Sequence, residues 1–337
     1  MKLTVLLGGT SSERNVSYAS GLRMAGGLRE AGHEVRLLDP ATGEVTADVE
    51  ATQLARAVGT EPPSHEELAA LRASDGTPSL PTHPLVRSAD CVVLALHGGR
   101  GEDGTVQALL DVAGVPYTGS GAMATAIAMD KDLTKRLLVV ADVPTAPWRM
   151  VPVSAADAIA ALGLPLIVKP NREGSTVGLS IVKHAADFDA AVALASRYDR
   201  EVMVEQFVAG RELTVPVLAG RALPVGEIIA AKEIYDYECK YTPGMAREEF
   251  PATLDDDTTA RVQRAAERAY AALKLRGCAR LDFRLAPDGR LACLEANTLP
   301  GMTALSLVPQ SAAAAGIGFA DFCRTLVEDA LASHRGV

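Results

Sequence analysis

Between Gly277 and Met302 the chain reads GCARLDFRLAPDGRLACLEANTLPGM, a pattern that admits few structures. Arg280, Asp282 and Arg284 alternate with Leu281, Phe283 and Leu285, as in a strand with one charged and one apolar face. Pro287, Asp288 and Gly289 supply a turn. A second strand follows, with Ala292, Leu294 and Ala296 on one side and Leu291, Cys293, Glu295 and Asn297 on the other. Pairing the two as a hairpin with apolar faces matched makes neighbours of Arg280, Asp282, Glu295 and Asn297, although the register itself stays open. Two carboxylates so placed repel. A divalent cation bound by both relieves this, and two carboxylates with an amide oxygen are hard donors of the kind Mg²⁺ takes, with waters and substrate phosphates completing the shell. The alternative is a solvated strand face whose charges Arg280 balances.

A chain of 337 residues holds two or three structural units. No apolar run is long enough to span a bilayer. The opening MKLTVLLGGTSSER passes from a short apolar run straight into a glycine turn, so it reads as a first strand and not as a signal peptide. A net charge of −9 with 4% aromatic residues argues against a general nucleic-acid surface, but leaves room for a local basic pocket that takes a small anion. Cys91, Cys239, Cys278, Cys293 and Cys323 are scattered without a CxxC pair, as expected of reduced, mostly buried thiols in a cytoplasmic protein.

The first half reads as a doubly wound α/β layer: a strand over Leu3–Leu7, a Gly8-Gly9 turn, a helix capped by Ser11 or Ser12 and running to about Ala31, and a strand over Glu34–Leu38. Residues 40–88 read as a surface segment with little chemistry. Cys91–Leu96 is a buried strand ending at His97-Gly98-Gly99, Gln107–Ala113 is helical, and Thr118-Gly119-Ser120-Gly121 precedes a helix through Met129. The second half reads as α+β on antiparallel sheets, with strands at 164–169, 178–182, 202–207 and 212–218 and helices at 187–195, 258–273 and 319–332.

Lys169 to Gly178, KPNREGSTVG, lies between two strands. It lacks the GK[ST] of a Walker A loop. Gly174, Ser175 and Gly178 nevertheless let backbone N–H groups converge on an anion, and Lys169 adds a point charge. The alternative is an ordinary hairpin turn with a surface lysine; the carboxylate pair elsewhere in the chain favours the nucleotide reading. Glu205-Gln206-Phe207-Val208 ends a strand where backbone donors and acceptors suit an adenine, and Glu212 suits ribose hydroxyls, against the alternative of a plain strand-turn-strand.

These residues carry a resemblance to the D-alanine–D-alanine ligases of the ATP-grasp superfamily over nearly the whole chain, weakest across residues 40–88. The matching segments are LLGGTSSERNVS at the start, LHGGRGEDGTVQ at 96–107, PYTGSG at 116–121, MDK at 129–131, VKPNREGSTVG at 168–178, YDYECKY at 235–241, RLDF at 280–283 and LEANTLPGMTALSLVP at 294–309. The resemblance implies an ATP-grasp fold behind an N-terminal doubly wound (pre-ATP-grasp) unit: 1–118 for substrate, 119–207 with the phosphate-covering loop, and 208–337 with the metal and substrate site. It implies that ATP phosphorylates one D-alanine to an acylphosphate, which the amine of a second D-alanine attacks to give the dipeptide for peptidoglycan. A homodimer is usual for the family.

The implied roles fall into four groups. Asp282, Glu295 and Asn297 would hold two Mg²⁺ ions, or Mn²⁺ in their place, while Lys131 and Lys169 would meet the phosphates and Glu205, Gln206, Val208 and Glu212 the rest of ATP. Glu13 at a helix start would bind the first substrate's ammonium, with His97 nearby. Arg280 and the Gly301 N–H would stabilise the oxyanion. Ser306, the Leu307 N–H and Lys240 would take the second carboxylate, and Ser175, Tyr241 and Glu13 would lock the loop over the site and exclude water. Tyr241 implies the dipeptide and not the ester product. Gln206 departs from the family, where many relatives carry lysine. Another ATP-grasp ligase, joining other amino or hydroxy acids, stays open as an alternative. A non-catalytic nucleotide-binding relative would be expected to have lost one of Arg280, Asp282, Glu295 or Asn297.

Overall fold

The computed structural model describes residues 1–54, 63–230 and 244–335. Its strands form three sheets. The first contains β1 (Lys2–Leu6), β2 (Glu34–Asp39), β3 (Gly43–Glu44) and β4 (Cys91–Leu94) in the order β3-β2-β1-β4. β1 runs parallel to β2 and β4, and β3 adds an antiparallel edge. Parallel strands covered on both faces need nearly continuous apolar runs, and Leu3–Leu6 and Cys91–Leu94 are buried throughout.

The crossover after β1 is set by glycine and by one buried acid. Gly8 has φ +79°, and a Cβ there would sit 2.7 Å from the Asp39 carboxylate. Asp39 is fully buried and accepts from the Gly9 N–H at 3.0 Å, the Ala41 N–H at 2.9 Å and the Tyr18 hydroxyl at 2.8 Å, and it pairs with Arg14. The following helix spans Arg14–Glu30 with Glu13 at the N-cap, making no side-chain cap bond. Ser11 is not the N-cap residue expected from the sequence: its hydroxyl donates to the His97 carbonyl and accepts from the Glu13 N–H at 3.2 Å, just ahead of the helix.

Residues 40–88 contain more structure than expected. Helices at Ala47–Leu54, His65–Ala73 and Pro84–Arg87 and a 3₁₀ turn at Thr77–Thr82 occupy the described part. Leu80 and Val86 are buried in a core shared with Leu94, Val106 and Leu110. This segment covers one face of the first sheet, a role its mixed composition does not announce.

The second sheet orders β5 (Trp148–Met150), β6 (Leu166–Pro170), β7 (Ser180–Val182) and β8 (Val202–Gln206) as β5-β8-β6-β7, all antiparallel. The third contains β9 (Arg211–Leu218), β10 (Arg221–Ala222), β11 (Gly226–Ala230), β12 (Ala246–Glu249), β13 (Cys278–Leu285) and β14 (Leu291–Asn297). Its order is β12-β11-β9-β13-β14, with β10 on β9. Helix Asp256–Ala272, capped by the Asp255 carboxylate accepting from the Thr258 N–H, buries Val262, Ala265, Ala266 and Ala269 against it.

The cores show how the sheets are joined. The first sheet, helix Arg14–Glu30 and helix Phe319–Arg335 share one apolar cluster with Met302 and Val308. The third sheet shares another with Ala124, Ala128 and Leu138. The second sheet closes its core on its own residues, from Ala158 to Val204.

Candidate active site

The hairpin pairs Arg280 with Asn297 and Asp282 with Glu295, so these four side chains share one face. Beyond Asp282 the register shifts, and Phe283 pairs with Cys293, leaving Leu294 as the extra residue of a bulge. The sequence pattern puts Leu291 and Cys293 on the charged face. The bulge resets the alternation, so Cys293 and Leu291 lie opposite Phe283 and Leu285, and Ala292 lies opposite Arg284. Cys293 is accordingly fully buried in the apolar core, and burial pushes its thiol well above the usual range.

Asp282 is held from three sides. Arg280 donates to it through Nε at 2.9 Å and Nη2 at 2.8 Å, the Thr214 hydroxyl at 2.8 Å and the Asn297 amide at 2.9 Å. Lys131 Nζ lies 3.3 Å from Glu295 and donates to the Glu173 carbonyl at 2.6 Å, which links the carboxylate face to the glycine loop. Two facing carboxylates with an adjacent amide suit a hard cation. Mg²⁺ keeps waters and takes substrate phosphates, so two carboxylates and an amide would suffice as its protein ligands.

Lys169, at the end of β6, donates to Glu205 Oε2 at 2.7 Å, and the other carboxylate oxygen pairs with Lys135. Burial opposes the charged form of Glu205, but the two lysines outweigh it and hold the carboxyl below its ordinary range. Sequence reasoning missed Lys135. Its spacing of four from Lys131 on helix Lys131–Val140 was the available signal. The 205–208 segment exposes less backbone than expected, because the N–H groups of Gln206 and Phe207 donate to the Pro147 and Pro165 carbonyls and the Val208 carbonyl accepts from Arg284. The Gln206 side chain turns to the Leu162 carbonyl at 2.9 Å, and Glu212 pairs with Arg284 at 3.0 Å.

Across the site, Ser175 donates its hydroxyl to Glu13 Oε1 at 2.6 Å. Ser175 and Thr176 both take positive φ, 51° and 65°, which turns the loop sharply toward Glu13. A Cβ on Gly98 would lie 3.0 Å from Glu13 Oε2, so glycine keeps this wall open. Tyr241 and Lys240 lie outside the described residues.

The loop carrying Gly301 is fastened to the first sheet's end. His97 is buried, with Nδ1 2.8 Å from the Leu299 carbonyl and Nε2 2.9 Å from the Ser20 hydroxyl. Ser20 also accepts from the Met302 N–H at 3.0 Å, and Arg23 donates to the Met302 and Thr303 carbonyls at 2.8 Å. Burial lowers the His97 pKa, against the opposing pull of the Glu13 charge. Glu102, which sequence reasoning quoted in a motif but gave no role, accepts from the Gly98 N–H at 2.6 Å and the Leu299 N–H at 3.4 Å. Burial, reinforced by the Glu13 charge, pushes its pKa up to about 7. Ser306 is the N-cap of helix Leu307–Ala314, and its hydroxyl accepts from the Thr303 N–H at 2.9 Å. The Leu307 N–H therefore belongs to a helix N-terminus, where backbone donors favour an anion.

The chain matches the family model described as D-ala D-ala ligase N-terminus over residues 2–120, and that described as D-ala D-ala ligase C-terminus over residues 138–328. It is 41% identical to a D-alanine–D-alanine ligase of Gloeobacter violaceus, over 98% of this chain and 100% of the relative. A ligase of the same name from an Anaeromyxobacter species is 41% identical over 98% and 96% of the two chains. Among solved structures, the Bacillus anthracis D-alanine–D-alanine ligase complexed with ATP aligns with a TM-score of 0.76 at 28% identity, covering 100% of this chain and 99% of that one. The Coxiella burnetii ligase aligns with a TM-score of 0.79 at 26% identity, covering 100% and 96%. The three-sheet architecture is the ATP-grasp fold behind a doubly wound N-terminal sheet. The chain belongs to the D-alanine–D-alanine ligase family.

Proposed function

We propose that the chain joins two D-alanines to D-alanyl-D-alanine at the expense of ATP, through an acylphosphate, and supplies peptidoglycan precursors in the cytoplasm. The observation that carries this reading is the register that sets Asp282 opposite Glu295, with Lys131 against Glu295 and Lys169 in the adjoining sheet. Phosphoryl transfer is mostly positioning and charge neutralisation, and these residues present both signs of charge where the reaction needs them. Asp282, Glu295 and Asn297 would hold Mg²⁺ ions (or Mn²⁺), which would supply charge neutralisation at the transferring group. Lys131 and Lys169 orient the phosphates, the edge formed by Glu205, Gln206 and Val208 receives the base, and Glu212 receives the ribose.

Glu13 binds the ammonium of the first D-alanine, and His97 lines its pocket. The first carboxylate then takes the phosphoryl group. Arg280 and the Gly301 N–H hold the oxyanion that forms as the second amine attacks. Ser306, the Leu307 N–H and Lys240 receive the second carboxylate. The Ser175–Glu13 bond, with Tyr241 as third member, keeps the loop over the acylphosphate and away from water. The units are read as 1–118, 119–207 and 208–337, and the working form as a homodimer.

The test is phosphate release from Mg·ATP with D-alanine, with L-alanine, and with D-alanine plus D-lactate, products being identified by mass. Phosphate matched by D-alanyl-D-alanine is expected. Bound ATP without D-alanine-dependent phosphate would overturn the substrate.

A further inference from the structure

A lysine ammonium shut away from water is costly unless every N–H is matched. Lys135 is fully buried; it donates to the Thr145 hydroxyl at 2.5 Å and the Ala146 carbonyl at 3.0 Å and forms an ion pair with the Glu205 carboxylate. The ring of Trp148 lies 5.2 Å from the ammonium. Its ammonium is thus engaged by protein groups and closed to solvent, so Lys135 acts through its partners and not by contact with a nucleotide.

Its partners connect the second sheet to the third. Glu205 ends β8 of the second sheet and also takes Lys169. Thr145 passes the link onward: its hydroxyl donates to the Cys293 carbonyl at 2.7 Å, and the Cys293 N–H donates to the Pro144 carbonyl at 2.7 Å. Cys293 lies on β14 at the bulge, two residues before Glu295.

We infer that Lys135 is a positioning residue of the nucleotide site, joining the Glu205–Lys169 pair on the second sheet to the Thr145–Cys293 link on β14. Charge counting points the same way. Burial lowers the Lys135 pKa, and the Glu205 charge opposes that. Glu205 alone would cancel Lys169; a protonated Lys135 on the same carboxylate leaves the trio one positive charge, which Lys169 can offer to phosphate. The inference deepens the ligase reading and rests on its assignment of ATP to this cleft.

The experiment compares wild type with Lys135→Met and Thr145→Val. Steady-state constants are measured for ATP and D-alanine, and direct ATP binding is followed by fluorescence of Trp148, the chain's single tryptophan. Lys135→Met is expected to raise the ATP KM and Kd by about tenfold or more, as loss of a supporting partner does at other charged sites, with the D-alanine KM within about twofold. Thr145→Val keeps every charge and removes the hydroxyl that joins Lys135 to the Cys293 carbonyl, leaving the Cys293–Pro144 backbone bond, with an expected rise of about threefold for ATP alone. If Lys135→Met does not fold, Thr145→Val decides: a selective ATP effect supports the inference, and none overturns it. Lower thermal stability with unchanged ATP constants would make Lys135 a packing residue only. A wild type that binds ATP but releases no phosphate with D-alanine overturns the ligase reading, while the fluorescence titration still tests Lys135.

Discussion

Ser175 and Glu13, 162 residues apart in sequence, meet through a hydrogen bond of 2.6 Å. A bond from a hydroxyl to a carboxylate contributes about 1.5–3 kcal/mol, enough to shift the loop's closed population by about tenfold or more. Ser175→Ala is therefore expected to raise the ATP hydrolysed per dipeptide formed by severalfold, with the fold intact. Counting phosphate against dipeptide in one assay checks this, and an unchanged ratio would remove the loop-locking role.

Glu295 faces Asp282 and pairs with Lys131. Glu295→Gln relieves like-charge repulsion while taking a negative donor from the metal face. Turnover should fall by roughly 100-fold or more and the Mg²⁺ requirement should rise, with Tm moving by only a few degrees. Near-normal turnover would sink the metal assignment.

Gly301 leaves no room for a side chain, since a Cβ would lie 2.8 Å from the Ser306 hydroxyl. That hydroxyl is held by the Thr303 N–H and hydroxyl at 2.9 and 2.8 Å, so it does not simply swing away. Gly301→Ala should raise the KM for the second D-alanine by about tenfold and leave ATP binding alone. Separate titrations of the two substrates distinguish this from general damage.

Glu102 binds its proton more tightly in the folded state, with a pKa of about 7 against an ordinary 4.5. A raised carboxyl pKa favours the folded state fully below the ordinary value, and that advantage is lost as pH rises through about 7. Glu102→Gln removes the titration. The variant's Tm, relative to wild type, should therefore be lowest near pH 4.5 and climb until about pH 7. Thermal melts across this range would show a flat difference if Glu102 does not titrate there.

The hairpin was legible because strand alternation is local: Arg280, Asp282, Glu295 and Asn297 end on one face as their spacing predicts. The bulge was not, because Leu294 fits the apolar pattern whether or not it is the extra residue, and only pairing with β13 reveals the reset phase. Lys135 was passed over because lysines are normally exposed, and its burial depends on partners 10 to 70 positions away. Glu102, His97 and Ser20 gain their roles from the loop at 299–302, some 200 to 280 residues distant, a contact that no local pattern encodes.

The apolar clusters divide the molecule unequally. The first and third sheets each share buried side chains with other parts of the chain, whereas the second draws its apolar cluster from residues 151–204. The part bearing Lys169 and the glycine loop thus has an apolar cluster of its own and is tied to the rest of the chain by polar contacts such as Lys135–Glu205, so it can open as a local unit. Ligand occupying the cleft adds its binding free energy to that opening cost, so the protection of these amides against solvent exchange becomes a gauge of nucleotide occupancy while the rest of the chain keeps its own rate.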